Sequence, residues 1–210
     1  MYRPRLTITV IIFNLVATSI AFAQDGIIGP HQLVDESAEL ILSTIQEQRN
    51  IYGNVTNAEM VQALVEVLEP VIDFSSIASA VIGNHSSGVS TDQAELFRQI
   101  FKTTMVRLYL ESFMAFEVAK IEVQEPDNDF TANSGRATVR MIASATNNTT
   151  YKINYSMRTN SADAWKVRNI VADGVNLGLT YRNQFDGAMS RYHMSIDQVI
   201  ANWDEDAIVE

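Results

Sequence analysis

Apolar positions return at helical spacing through the first half of the chain. Between Leu33 and about Asn50, Leu33/Val34, Ala38, Ile41 and Ile45 share one face, with Glu36, Glu39, Glu47 and Arg49 elsewhere. Tyr52-Gly53-Asn54 interrupts this pattern. Thr56-Asn57-Ala58-Glu59 has capping-box spacing and opens a helix carrying Met60, Leu64 and Leu68, with Pro70 near its end. Asp73 and Gly83 suit the N-cap and C-cap of a short helix whose apolar face is Phe74, Ile77, Ala78, Val81 and Ile82. Ser90-Thr91-Asp92-Gln93 then opens the longest helix, predicted over 91–115. Its stripe is Phe97, Ile100, Phe101, Thr104, Met105, Leu108 and Ser112, with Tyr109 and Phe113 beside it.

After residue 115 the period changes from helical to two. In 116–124 the apolar parity switches from Phe116 and Val118 to Ile121 and Val123, as expected of a bulged or edge strand. A polar, turn-rich stretch covers 126–134. Ala137, Val139, Met141, Ala143 and Ala145 alternate with polar neighbours, and Thr146-Asn147-Asn148-Thr149 forms a hairpin loop. Tyr151, Ile153, Tyr155 and Met157 alternate again, and Asn160-Ser161-Ala162-Asp163 turns into a strand from Trp165 to Val171. This is an antiparallel meander with one apolar face. Asp173-Gly174 suits a junction from that strand to a helix, in which Leu177, Tyr181 and Phe185 recur every four residues. Asp186-Gly187 reads as a soft break. Ser195-Ile196-Asp197-Gln198 leads a short helix with Val199, Ile200 and Trp203. Helices, then strands, then helices predict an α+β fold: a curved antiparallel sheet of about four strands with helices packed on its apolar face.

The two ends carry different signals. Arg3 and Arg5 precede an apolar stretch from Leu6 to Ile20, and Ala21-Phe22-Ala23 is an A-x-A site. Residues 1–23 therefore read as a cleaved signal peptide, with an uncleaved N-terminal anchor as the alternative. Residues 24–32 read as a loose leader, 24–203 as one domain and 204–210 as a frayed acidic tail. Of the 15 basic residues, loss of Arg3 and Arg5 leaves 13 against 25 acidic ones, a net charge of −12. That balance argues against nucleic acid and against permanent residence on an anionic membrane. The absence of cysteine excludes a disulfide framework and a thiolate metal site.

Catalytic patterns are lacking. His31, His85 and His193 have no ligand at i+3 or i+4 that makes a metal motif, and no nucleophile elbow, P-loop or dinucleotide fingerprint is present. Asp173 at a strand end is the most tempting acid, but its neighbour Gly174 favours a junction role. Arg182 either meets a phosphate or carboxylate at a cavity mouth or pairs with an acid on this acidic surface; the second reading is favoured.

The order Trp165…Val167…Asp173-Gly174-Val175-x-Leu177…Tyr181-Arg182-x-Gln184-Phe185 resembles the MlaC/Ttg2D family, the periplasmic phospholipid-binding proteins of Gram-negative bacteria. The Asp73-Phe74 helix ending at Gly83 is similar to a family element. The aromatics usual after that glycine are replaced here by Asn84-His85-Ser86-Ser87. The resemblance implies an NTF2-like or cystatin-like fold with an apolar cavity between sheet and helices, and no enzymatic activity or cofactor. It implies a carrier of diacyl phospholipid, working between an outer-membrane lipoprotein complex and an inner-membrane ABC transporter with a membrane-anchored substrate-binding subunit. The candidate lining is Val81, Phe97, Phe101, Met105, Leu108, Met141, Ile153, Tyr155, Met157, Leu177, Tyr181 and Phe185. A Phe/Met stripe at helical spacing equally describes a filled core. An NTF2-like enzyme and a protein-binding module with an apolar cleft remain the alternatives.

Overall fold

The computed structural model describes residues 28–53, 56–126 and 135–207. The signal-peptide reading, most of the leader, the turn-rich stretch over 127–134 and the final three residues lie outside them. Among the described residues no helix is long and apolar enough to cross a membrane.

Three helices come first: α1 (Pro30–Tyr52), α2 (Ala58–Leu68) and α3 (Phe74–Ile82). Pro30 stands in the first turn of α1, where its missing N–H costs nothing, so the helix begins inside the stretch read as leader. The cap of α2 is Asn57, whose Oδ1 accepts from Met60 N at 2.8 Å, rather than Thr56. Asp73 and Gly83 cap α3 as expected. A 3-10 turn over Gly83–Gly88 leads to α4 (Thr91–Ala115), which opens with the Ser90/Gln93 capping box.

The sheet is a meander in sequence order: β1 (Val118–Val123), β2 (Arg136–Ala145), β3 (Thr150–Thr159), β4 (Trp165–Ala172) and the two-residue β5 (Val175–Asn176). All neighbouring strands run antiparallel. The parity switch expected in β1 is a register shift between Val118 and Lys120, on an edge strand. Phe116 belongs to the end of α4, not to the strand, and stacks on Tyr151 with ring centroids 4.7 Å apart.

A second irregularity was not legible in the alternation. Met157 pairs with Val167 and Ser156 with Asn169, so Arg168 is an extra residue in β4. Beyond this bulge Ile170 and Ala172 stand opposite Tyr155 and Ile153, on the covered face. The other end of β4 is extended by residues 71–73: Val167 N donates to Val71 O, and Asp73 N donates to Val167 O.

Asp173-Gly174 is a hairpin turn rather than a strand-to-helix junction. Val171 pairs with Asn176 and Ala172 with Val175, leaving these two residues as the loop. Both have positive φ, 46° and 86°, as a two-residue turn matched to strand twist requires. Asp173 Oδ1 accepts from Lys152 N at 2.7 Å and ties this turn to β3. Helix α5 (Leu177–Arg191) then starts under a different cap, Asn176, whose side chain accepts from Leu179 N.

Asp186-Gly187 does not break α5. Ala188 and Met189 are buried against neighbouring helices, and that burial outweighs the modest helix penalty of one glycine. Helix α6 (Ile196–Asp206) begins at Ser195 without a side-chain cap bond and runs past residue 203. Asp204 accepts from the buried Thr104 hydroxyl, and Ala207 is fully buried, so this part of the acidic stretch is packed.

Candidate functional site

Helix α4 is buried on two sides. Phe97, Phe101 and Thr104 face α3, α5 and α6, while Val106, Leu110 and Phe113 face α1 and α2. Only the first of these faces was visible as a stripe. Leu108 on the first face, and Met105 and Tyr109 between the two, remain partly accessible.

The first face ends in a closed aromatic knot. Phe97 meets Phe185 and Trp203 edge-on, each with centroids 5.0 Å apart, and Phe101 meets Tyr181 edge-on at 5.7 Å. Phe97, Phe101, Phe185 and Trp203 are all 0% exposed. Val81 and Tyr181 belong to the same cluster. Burial pushes the Tyr181 phenol up to about 12. Val81, Phe97, Phe101, Tyr181 and Phe185 are therefore core in this structure, with little or no surface left for a ligand to touch.

Met141 and Met157 also lie in a packed cluster, with Val139, Trp165 and Val167 on the sheet and Val34 and Ala38 of α1. Five of the expected lining residues keep accessible surface: Met105, Leu108, Ile153, Tyr155 and Leu177. Along the covered face of β3, Tyr151, Ile153 and Tyr155 are half-buried, whereas Met157 is closed off at 1%. Along β4, Ala172 and Ile170 are half-buried and Val167 is closed off at 2%. Exposure on the covered face thus falls almost to zero at the Met157–Val167 level and rises toward the β2–β3 and β4–β5 hairpins.

Two residues join this set that the sequence did not single out. Ile170 was hidden by the β4 bulge, which reverses the parity of the strand. Tyr109 stood beside the α4 stripe; its place four residues after Met105 was the available signal. Burial pushes the Tyr109 phenol up to about 12 and raises that of Tyr155 further, with Tyr109 as a second, lesser cause. The Tyr155 hydroxyl reaches the Met141 thioether at 3.7 Å. The two phenols thus lie deep in the protein, on side chains that are partly accessible as a whole.

The two polar residues of the Tyr-Arg-x-Gln-Phe motif differ: Arg182 is engaged within the protein, whereas Gln184 Oε1 is buried with no partner among the described residues. Arg182 Nη2 donates to Asn84 Oδ1 at 3.1 Å, so its described hydrogen bond goes to an amide. Gly178 is held by close approach: a Cβ there would lie 2.6 Å from Asn169 Oδ1, the atom that accepts from Gly178 N. His85 occupies the segment after Gly83. Its ring lies 5.8 Å from Phe185, and its Nε2 lies 2.8 Å from Asp186 Oδ1. Arg168 Nε lies 3.0 Å from Asp73 Oδ2, an ion pair without a well-aligned hydrogen bond. Among the described residues no group of three His, Cys, Asp or Glu is placed to hold a metal ion. Asp173 is exposed and committed to its turn.

In sequence, the chain is 27% identical over 175 residues to the toluene tolerance protein Ttg2D of Pseudomonas putida, covering 83% of this chain and 79% of that protein. In fold, it is similar to the phospholipid-binding protein of Ralstonia solanacearum solved in complex with a phospholipid. That likeness has a TM-score of 0.73 at 22% identity and covers 86% of this chain and 97% of the other. The sequence model of the MlaC protein family matches residues 35–205, across the aromatic knot and the sheet, and the chain belongs to that family.

Proposed function

We infer that this protein is a periplasmic phospholipid carrier. It takes diacyl phospholipid from one membrane complex and delivers it to another, between an outer-membrane lipoprotein complex and an inner-membrane ABC transporter with a membrane-anchored substrate-binding subunit. The observation that carries the reading is the set of apolar side chains left partly accessible on α4, α5 and the covered face of the sheet, Met105, Leu108, Ile153, Tyr155 and Leu177, which we take as the wall of an apolar space. Membership of the family and the phospholipid bound by the Ralstonia solanacearum neighbour support it.

The chemistry asked of a carrier is burial rather than catalysis. Each buried methylene is worth about 0.8 kcal/mol, so two acyl chains with roughly 30 methylenes represent about 24 kcal/mol of gross transfer energy. Free passage of such a lipid through water is negligible, and a shielded apolar space offsets most of this cost. Affinity then comes from the tails, so head-group selectivity is weak. Met105 gives the wall a flexible, polarizable side chain that adapts to different chains.

Native mass spectrometry of protein prepared from the periplasm tests this directly. A phospholipid adduct at up to one per chain is expected, and organic extraction should release mixed head groups. Repeatedly lipid-free preparations would overturn the carrier reading. Intact mass also reports the mature N-terminus, expected at Gln24.

A further inference from the structure

The deep end of this space is not wholly apolar, and its polarity has no structural use elsewhere in the fold. Tyr155 stands on the central strand, opposite Val139 on one side and Ile170 on the other. It marks the last half-open level before the closed layer of Met157 and Val167. Tyr109 stands on α4, near enough to add to the upward shift of the Tyr155 phenol. Among the described residues the partner of the Tyr155 hydroxyl is the Met141 sulfur, a weak acceptor, and the Tyr109 hydroxyl has none. A buried hydroxyl is ordinarily hydrogen-bonded, because losing water without a replacement is costly. On the carrier reading these two under-partnered hydroxyls line the lipid space, and they need water when it is empty.

We propose that the Tyr109 and Tyr155 hydroxyls form a polar floor that deliberately weakens the hold on acyl chains and so lets the protein release its lipid. This rests on the carrier reading above. In the empty protein the hydroxyls are solvated. An acyl chain that reaches the floor displaces that water and offers no acceptor in return, so the loss is felt only in the loaded state. The deeper a chain reaches, the larger the loss, which sets a preference for chains that stop short of Tyr155. A shuttle benefits from this, because a uniformly greasy space would hold its cargo against any acceptor.

The test compares wild type, Tyr109→Phe, Tyr155→Phe and the double variant, each loaded with fluorescent phosphatidylethanolamine of defined chain length. Release is followed into acceptor vesicles of phosphatidylethanolamine and phosphatidylglycerol. Phe keeps the ring and removes only the oxygen, and the melting temperature of the lipid-free protein checks that packing is intact. Release from the double variant should slow by about tenfold, equivalent to about 1.4 kcal/mol, with smaller effects in the single variants and the largest slowing for the longest chains. Equal or faster release from loaded Phe variants would overturn the inference and leave the carrier reading standing. So would slowing that is independent of chain length. A wild-type protein that takes up no lipid would overturn the carrier reading itself, and this inference with it.

Discussion

Helix α4 passes through two regions of opposite character. Around Phe97 and Phe101 its side chains interlock with Tyr181, Phe185 and Trp203, leaving almost no accessible surface. Around Met105, Leu108 and Tyr109, one to two turns later, the same helix carries partly accessible side chains. Both regions are apolar, and along the sequence they form one uninterrupted stripe. They differ in how fully neighbours close over them: α5 and α6 leave no surface in the first case, and Met105, Leu108 and Tyr109 keep some in the second. A stripe of apolar residues therefore states that water is excluded. Only the facing element decides whether protein or ligand does the excluding.

The comparison is broken most severely by placing a charge in each region. Phe101→Asp puts an unpartnered carboxylate into a fully closed aromatic cluster. A loss of several kcal/mol against a total stability of about 5–15 should leave an insoluble or molten product, judged by circular dichroism and the absence of a cooperative melt. Leu108→Asp places the same group at the half-open wall, where water can still reach it. It should cost about 1–2 kcal/mol, keep a cooperative melt and abolish the lipid adduct in native mass spectrometry. A lipid-free but well-folded Phe101→Asp protein would reverse the assignment of the two regions.

Alkaline pH sharpens the same contrast less drastically. The Tyr181 and Tyr109 phenols hold their protons up to about 12, against an ordinary value of 10.0. Between those values the native state binds more protons than the unfolded chain. Their contribution to stability is therefore complete below pH 10 and is lost as pH rises toward 12. The melting temperature should fall through that window, and phenolate absorbance should appear together with unfolding. Tyr181→Phe and Tyr109→Phe should each move the fall to higher pH. The smallest expected effect is at Asn176→Ala. It removes the cap of α5 and should cost about 1 kcal/mol in chemical denaturation, with the lipid adduct unchanged.

Much of this arrangement was legible in the chain. The α3 and α4 boundaries followed from Asp73, Gly83, Ser90 and Gln93, because caps are local and the chemistry that satisfies them is written beside them. The β2 and β3 faces followed from alternation. What stayed hidden depended on distant partners. The bulge at Arg168 is defined only by pairing with β3, so Ile170 could not be placed on the inner face. Asp173-Gly174 was read as a junction because β5 is two residues long and leaves no alternation to see. The split of the candidate lining into a closed and a half-open set depended on where α5 and α6 come to rest, which no local pattern encodes.

The strand-like segment of residues 71–73 has a consequence for how the molecule assembles. Its hydrogen bonds to Val167 join the helical N-terminal half to the fourth strand across about 95 residues of intervening chain. Contacts that distant must wait for a long loop to close, so the search for the native state is governed by topology rather than by the speed of helix formation. The N-terminal helices cannot complete their packing while the rest of the polypeptide is still emerging. The earliest folding-competent length includes β4, and a chain cut short before Val167 leaves the Val71–Asp73 backbone without its partners.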